Sequence, residues 1–253
     1  MDTISATLKP LVLLERIAAM PQPPSLSELA LGTRLPKPTL HRWLASLEDA
    51  RLLQRTPDGK RYEIAQRASE LALSIMSNPQ TARVRHDILQ GVAAKIGEAC
   101  NLTVLQGTQV VYIDRVESMW PLRIMFQPGS KVPAYCSASG KLFLALMPPA
   151  RRKPVFGNLT LERFTEHTLT ERELLEQEFG LIRKQGYALD REEYLSGLIC
   201  LAVPIFYGTG RSRSCAAALA VQAPVTRMSC EDMIARLPEL QAAAQSIGAT
   251  FAR

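Results

Sequence analysis

The stretch LSELALGTRLPKPTLHRWLASLEDARLLQRTPDGKRYEI, from Leu26 to Ile64, constrains the fold more than any other part of the chain. A short helix is expected first, and Gly32 predicts a sharp turn after it. Pro36 and Pro38 are tolerated only in the first turn of a helix, so they predict a second helix that starts near Pro36. This helix is expected to run to about Ala50. The pattern is that of two helices joined by a tight turn.

The second half of the same stretch predicts a β-hairpin. Asp58-Gly59 is a strong turn signal between LLQRT and KRYEI. Basic residues are concentrated here, because residues Arg34 to Arg61 include seven Lys or Arg and three Asp or Glu. Two helices, a hairpin and an excess of positive charge are typical of a winged helix-turn-helix, which places its second helix in the DNA major groove.

The second helix is expected to have two different faces. Leu40, Trp43, Leu44 and Leu47 share one face, which predicts packing against the domain core. The candidate DNA-contacting residues come from the other face and the hairpin: Lys37, Thr39, His41, Arg42, Arg55, Lys60 and Arg61. Arg42 is the best candidate for a base or phosphate contact, because a guanidinium group matches the geometry of both. For any single residue, an ordinary solvated surface charge is the alternative interpretation.

Whole-chain properties exclude several classes of protein. The 253 residues give room for one large or two ordinary domains, and the net charge of +6 fits either a polyanionic partner or simple solubility. The five cysteines are scattered without metal-ligand spacing, so neither a disulfide framework nor a metal site is expected. The sequence shows no signal peptide, and apolar runs such as ICLAVPIF are too short to span a membrane. We therefore expect a cytoplasmic protein without metal or cofactor.

The helix and strand signals predict a division into three parts. Residues 4–20 show helical spacing, Ser25 or Ser27 is a candidate cap for the next helix, and Ala65 to Met76 is again helical before Asn78-Pro79. The expected parts are a DNA-binding domain (1–64), a linker helix (65–81) and a second domain (82–253). Leu71, Leu73, Ile75 and Met76 of the linker helix are candidates for a dimer interface or for packing within one subunit.

The second domain is expected to be α+β. The predicted strands are NLTVLQ, VVYIDRVES, LRIMFQ, ICLAVPIF and SCAAALAVQ, and the predicted helices are residues 82–98, SASGKLFLALM, a helix that ends at Gly186 and residues 229–248. TERE, from Thr170 to Glu173, predicts a capping box for the third of these helices. An antiparallel sheet flanked by helices on one side is the expected architecture.

These motifs together resemble the IclR family of bacterial transcriptional regulators over essentially the whole chain. The resemblance is carried by LSELA, LPKPTLHRWLASLE, the hairpin that ends in RYEI, VVYIDRVES, PGSKVPAYCSASGKLFLA and GYALDREEYLSGLICLAVPIF. It implies an N-terminal winged helix-turn-helix domain, a linker helix and a GAF-like domain that binds a small organic effector. It also implies homodimers or homotetramers that repress, or sometimes activate, catabolic operons from palindromic DNA sites.

The SASGK segment does not form a P-loop, because Tyr135 and Leu142 stand where that motif needs glycine and a hydroxyl residue. Small residues at the start of a helix fit either a carboxylate-binding site or close helix–strand packing. The resemblance favours a ligand and implies an effector pocket, whose candidate residues are Ile124, Val132, Ala138, Ser139, Gly140, Asp190, Leu198, Cys200, Ala220 and Gln222.

The strand near the end of the chain departs from the family pattern. Members that bind small keto acids resemble S-x-S-G-P where this chain has AVQAP, from Ala220 to Pro224. A methyl group and an amide replace two hydroxyls, so a larger acid, including an aromatic one, is a candidate effector.

Asp190, Glu192 and Glu193 lack an accompanying nucleophile–base pair, which argues against an enzyme. The alternatives are a regulator gated only by protein contacts, and an enzyme that uses the winged helix as an interaction module.

Overall fold

The computed structural model describes residues 5, 7–20, 22–33, 35–120, 126–208 and 214–251. The chain divides into two compact units, Met1–Ile75 and Met76–Arg253. The boundaries expected from the sequence, at residues 64 and 81, stay a prediction.

The first unit contains helices, a hairpin and most of a further helix. The elements are α1 (Lys9–Ala19), α2 (Leu26–Thr33), α3 (Lys37–Asp49), β1 (Leu53–Arg55), β2 (Tyr62–Ile64) and α4 (Gln66–Ser77). Strands β1 and β2 pair antiparallel, with Leu53 opposite Ile64. One apolar cluster joins α1, α2, α3 and the hairpin, and its buried members are Leu13, Ile17, Leu29, Leu40, Leu44, Leu47, Leu53 and Tyr62. The predicted helix-turn-helix with a hairpin wing is confirmed.

Local signals explain where these elements begin. Ser25 and Glu28 form a capping box at the start of α2, since each backbone N–H donates to the other's side chain, at 2.6 and 3.3 Å. Pro36 is the N-cap of α3, as the prolines predicted. Gly59 has φ 69° in the hairpin turn, a conformation that favours glycine. The interpretation of Gly32 is wrong, because Gly32 lies inside α2 and has no positive φ.

The second unit is built on an antiparallel sheet. Its helices are α5 (Pro79–Ile96), α6 (Ala138–Leu146), α7 (Pro149–Gly157), α8 (Arg172–Gln185), α9 (Cys230–Ala235) and α10 (Leu237–Thr250). Its strands are β3 (Ala99–Gln106), β4 (Gln109–Val116), β5 (Lys131–Pro133), β6 (Ala188–Arg191), β7 (Leu198–Tyr207) and β8 (Ser214–Pro224). The strand order is β5-β4-β3-β8-β7-β6, and each neighbouring pair is antiparallel.

Helices cover both faces of this sheet, so the expectation of helices on one side is wrong. Leu198, Cys200 and Ala202 of β7 belong to a core cluster with α6 and α8. The alternating residues of β7, such as Leu201 and Val203, are also buried and point to the other face. Strand β7 therefore reads as a continuous apolar run because both of its faces are covered.

Several predicted boundaries change. Most of LRIMFQ lies outside the described residues, its last two residues are not in a strand, and the edge strand of the sheet is β5. The predicted capping box at TERE is wrong, because α8 begins at Arg172 and the Thr170 hydroxyl accepts a hydrogen bond from Arg163 at 3.1 Å. The helix ends at Gly186 as predicted, with φ 79°. The terminal helix is two helices, α9 and α10, and Ser229 caps the first of them.

Candidate functional sites

Helix α3 presents a polar face away from the core of the first unit. Lys37, His41 and Arg42 are exposed and Thr39 is half-buried, while Leu40 on the other face is buried. Within the described part of the chain, no ion pair or side-chain hydrogen bond engages Lys37, His41 or Arg42. No side chain caps the start of the helix, so its first N–H groups stay available to an anion.

The hairpin arginines are engaged within the unit. The Arg55 side chain pairs with Glu48 of α3 at 3.1 Å, donates to the Tyr62 hydroxyl at 2.7 Å and lies over the Tyr62 ring at 4.6 Å. Arg61 pairs with Glu28 of α2 at 3.1 Å and donates to the Pro23 carbonyl oxygen at 2.7 Å. Both side chains are 41% exposed, so a free edge remains. These arginines fasten the hairpin to α2 and α3, and their contact with DNA stays a prediction.

Lys60 differs from the two arginines. It is exposed near the hairpin tip, and no ion pair involves its ammonium group among the residues that the structure describes. The carboxylate of Asp58 instead accepts from the Lys60 backbone N–H at 3.0 Å and from the Thr56 hydroxyl at 2.6 Å, and these bonds lower the pKa of Asp58. The side chain of Lys60 is thus free to meet a phosphate.

A pocket lies in the second unit between the sheet and the start of α6. It is a cavity of about 20 Å³ within a space of about 350 Å³ that is free of protein atoms and partly open to solvent. The predicted residues that line it are Val132, Ala138, Ser139, Asp190, Leu198, Cys200, Ala220 and Gln222. Further lining residues that the sequence reasoning missed are Asn101, Val110, Tyr112, Phe126, Ser137 and Tyr194. Ile124 lies outside the described residues.

The start of α6 is open towards this pocket. Ser137 is the N-cap, but its hydroxyl donates to the Pro133 carbonyl oxygen at 2.9 Å and does not cap the helix. The first backbone N–H that bonds within the helix is that of Lys141, which donates to the Ser137 carbonyl oxygen at 2.9 Å. Ala138 and Ser139 both line the pocket, and their N–H groups have no partners within the helix, so this helix start favours a negatively charged group.

Gly140 differs from its neighbours, because it is not among the residues that line the pocket, and its place in an effector site stays a prediction. A Cβ at Gly140 would lie 2.1 Å from the carbonyl oxygen of Ala134 and 2.3 Å from its Cα. The Ala134 backbone thus crosses α6 in close contact. Of the two interpretations of the small residues, close packing applies to Gly140 and the pocket wall applies to Ala138 and Ser139.

A polar chain of side chains lies along the sheet side of the pocket. The Gln222 side-chain amide donates to the Tyr112 hydroxyl at 2.8 Å, and its oxygen accepts from Arg115. Arg115 is 3% exposed and pairs with Glu117 at 2.6 Å. Phe126 stacks on Tyr112 with ring centroids 5.1 Å apart. Gln222 is therefore held in place by two partners, Tyr112 and Arg115.

Asp190 lies on β6, the strand at one edge of the sheet, near a buried lysine. Burial, together with the nearby charge of Glu193, raises the pKa of Asp190 to about 7, although Lys141 and the Glu193 N–H at 2.7 Å oppose this rise. Lys141 is fully buried and pairs with Glu193 and, at 3.3 Å, with Glu178. An Asp190 carboxyl with this pKa is protonated for much of the time at neutral pH, so it can donate to an anion.

Asn101 of β3 is buried in the pocket wall with an unused hydrogen-bond donor. It is 1% exposed, and its Nδ2 atom has no partner among the described residues. In NLTVLQ the polar residues Asn101 and Thr103 alternate with the apolar residues Leu102 and Val104. This is the pattern of a strand with one solvated face, so no local signal marks Asn101 as a buried pocket residue. A carboxamide at a buried strand position is unusual unless a partner is present.

Models of known protein families match both units of the chain. A model of the IclR helix-turn-helix domain matches residues 7–57, and a model of the C-terminal domain of bacterial transcriptional regulator IclR matches residues 74–249. Among curated relatives, "Probable transcriptional regulator SauR" of Cupriavidus necator is 41% identical over 98% of this chain and 97% of its own. Transcriptional repressor IclR of Escherichia coli is 28% identical over 89% of this chain and 82% of its own.

Solved structures agree with this. The crystal structure of Thermotoga maritima IclR has a TM-score of 0.63 and 28% identity, covering 96% of this chain and 97% of its own. Among the helices that the structure describes, none has the length and apolar character needed to span a membrane. In the same residues, no group of three His, Cys, Asp or Glu is arranged to hold a metal ion.

Proposed function

The chain belongs to the IclR family of bacterial transcriptional regulators, and we propose that a small organic acid bound at the start of α6 controls its binding to operator DNA. As a member of this family it is a DNA-binding regulator and not an enzyme. The observation that carries the proposal is the uncapped N-terminus of α6, which opens on a pocket that also contains Asp190.

Helix α3 is proposed to be the helix that contacts the DNA bases. Its first two turns present Lys37, Thr39, His41 and Arg42, and a helix in the major groove contacts base edges with these turns. Lys60 at the hairpin tip is proposed to contact the DNA backbone. Arg55 and Arg61 support the wing through Glu48 and Glu28, and their exposed edges add positive charge beside the phosphates.

The active form is proposed to be a homodimer or homotetramer on a palindromic operator. Leu8 and Leu11 at the start of α1 and Leu71 and Ile75 of α4 are each at least half exposed, which supports an apolar contact between subunits. Leu73 and Met76 are half-buried and contribute less. Two-fold symmetry would place two α3 helices in successive major grooves.

The effector is proposed to be a compact organic acid. Its carboxylate would accept from the N–H groups of Ala138 and Ser139 and from protonated Asp190. The apolar walls, including Val132 and Leu198, would exclude water from its body. An aromatic acid is a variant of this proposal, supported by the Tyr112, Phe126 and Tyr194 rings. Repression of a catabolic operon is proposed from the repressors among its relatives.

A regulator gated by protein contacts alone is the second candidate. The observation in its favour is the small cavity, because side chains must move before an acid can enter a volume of about 20 Å³. The two candidates differ in whether any acid stabilises the protein.

A thermal-shift screen of the purified protein against aliphatic and aromatic carboxylates tests the proposal. An acid at a hundred times its dissociation constant adds roughly 2.7 kcal/mol to the free energy of unfolding, which gives an easily measured rise in Tm. Ala138→Leu, which fills the pocket wall, is expected to abolish that rise. A wild-type protein that no acid stabilises would favour the candidate gated by protein contacts.

A further inference from the structure

We infer that Asn101 is a specificity-determining residue of the pocket, where its amide donates a hydrogen bond to a second oxygen atom of the bound acid. The effector is then an acid that also carries a hydroxyl, an oxo group or a second carboxylate. This inference rests on the proposed function and deepens it by naming the class of ligand.

The burial of the Asn101 amide calls for a partner. The residue is 1% exposed, and its Nδ2 atom is without a hydrogen bond in the described part of the chain. A buried donor that has lost its water and gained no acceptor destabilises the folded protein. An apolar side chain at this strand position would remove that cost. A ligand acceptor in the pocket is the partner that would make an asparagine favourable here.

The protein neighbours of Asn101 do not supply the acceptor. Its cross-strand partners in the sheet are Arg115 on one side and Ala220 on the other. A guanidinium group only donates hydrogen bonds, and an alanine side chain neither donates nor accepts them. The side-chain oxygen of Gln222, which lines the same pocket, already accepts from Arg115. The donor of Asn101 is thus left to whatever occupies the pocket that it lines.

Several other polar groups of the pocket are also donors. Ala138 and Ser139 offer backbone N–H groups at the start of α6. The Tyr112 hydroxyl accepts from Gln222 at 2.8 Å, so its own proton can be donated elsewhere. A ligand with a single carboxylate has too few acceptors for donors distributed over β3, β4 and α6. A second oxygen acceptor satisfies Asn101, and the small volume restricts the molecule to a compact one.

Matched pairs of acids test this inference by isothermal titration calorimetry. The probes are propionate against 3-hydroxypropionate and malonate, and benzoate against 3-hydroxybenzoate and 4-hydroxybenzoate. For wild type, at least one difunctional acid is expected to bind at least about tenfold more tightly than its monofunctional partner, because one net hydrogen bond has this magnitude. In Asn101→Ala the ratio is expected to fall close to one, with the affinity for the monofunctional acid unchanged.

Two further variants control for folding. Thr103→Val changes a buried residue on the same face of β3, but the Thr103 hydroxyl already has a partner in the Ala218 carbonyl oxygen at 3.5 Å, so the wild-type ratio is expected. Asn101→Asp keeps the size of the side chain and replaces the donor with an acceptor. Asn101→Asp is expected to weaken the binding of malonate more than that of the other acids. It tests the inference if Asn101→Ala does not fold.

The outcomes separate this inference from the proposed function. If no acid binds the wild type, the proposed function fails and the inference fails with it. If acids bind but the paired acids bind equally, or if Asn101→Ala keeps the wild-type ratio, the inference alone is wrong. A ratio that falls equally in Thr103→Val would also overturn it, because the effect would then belong to the packing of β3.

Discussion

Gly140→Ala is expected to destabilise the second unit and to disable its pocket. The added Cβ would lie 2.1 Å from the Ala134 carbonyl oxygen and 2.5 Å from its carbonyl carbon. An ordinary contact is more than 3 Å, so two backbone segments must separate by about 1 Å. Both are buried, with Ala134 and Leu142 at 0% exposure, and neither is the end of a flexible side chain. We expect a cost of about 3 kcal/mol, at the upper end for overpacked cores.

The matched control is Gly91→Ala. Gly91 also lies within a helix, α5, but it is exposed and a Cβ there meets no heavy atom within 4 Å. Replacing a helical glycine with alanine at an open position stabilises by up to about 1 kcal/mol. The same substitution is therefore expected to have opposite signs at the two positions.

Thermal unfolding with each variant measures the difference. For a unit of this size about 1 kcal/mol shifts Tm by roughly 2–4 °C, so Gly140→Ala is expected to lower Tm by roughly 6–12 °C and Gly91→Ala to raise it slightly. Movement of the start of α6 should also remove stabilisation by acids. A Gly140→Ala protein as stable as wild type would refute the close packing of Ala134 against α6 and the position of the helix start that depends on it.

Three further predictions concern DNA binding, the stability of the hairpin and the effect of pH. Arg42→Ala is expected to cost about 1–3 kcal/mol in operator affinity and to reduce the preference for the operator sequence. Lys60→Ala should weaken binding to all DNA sequences alike and reduce the slope of log affinity against log salt concentration by about 1. Anisotropy titrations at several salt concentrations measure both effects, and unchanged affinity in both variants would contradict the proposed DNA-binding surface. Arg61→Ala is expected to loosen the hairpin through loss of the pair with Glu28. Glu28→Ala removes the same pair and also the capping box of α2, so in denaturant unfolding the double variant should lose less stability than the sum of the two single variants, and full additivity would exclude the coupling. Asp190 has a folded pKa of about 7 against an ordinary 3.8, so the folded state holds a proton that the unfolded state releases, and its contribution to stability should fall as pH rises from about 4 to 7; Asp190→Asn should flatten this dependence, and a pH profile identical to wild type would refute it.

The elements that the sequence predicts best are those with a local cause. Pro36 and Pro38 locate α3, and Asp58-Gly59 locates the hairpin, because proline and glycine restrict the backbone at the residue itself. Gly186 ends α8 for the same reason. The turn predicted at Gly32 is wrong because a glycine is also tolerated inside a helix. The neighbouring residues do not show whether Gly32 ends the helix or lies within it.

The pocket is a mixture of predictable and unpredictable features. The family resemblance implied most of the lining residues, but only the folded structure shows that Gly140 packs against Ala134 and that Ala138 lines the pocket. The engagement of Arg61 by Glu28 depends on residues 33 positions apart, which no local pattern encodes. The free donor of Asn101 is likewise a property of its neighbours in the folded sheet, Arg115 and Ala220.

The covered second face of the sheet was also invisible to local reasoning. A continuous apolar strand such as β7 indicates burial on both sides, but the sequence does not state which helix supplies the second cover. The edge strand β5 has only three residues, Lys131–Pro133, which is too short for a periodic signal.

The central claim is that an acid in the pocket changes the affinity of α3 and the hairpin for DNA. Its most direct test is an operator-affinity titration by fluorescence anisotropy, using a duplex selected from a random pool by the purified protein. The titration is run with and without the acid that gives the largest thermal shift, for wild type and for Ala138→Leu. The account predicts that the acid changes the Kd of wild type by severalfold or more, consistent with ordinary coupling between sites, and that Ala138→Leu binds the duplex like wild type without responding. An unchanged wild-type Kd at saturating acid, or an equal response in Ala138→Leu, would contradict the claim.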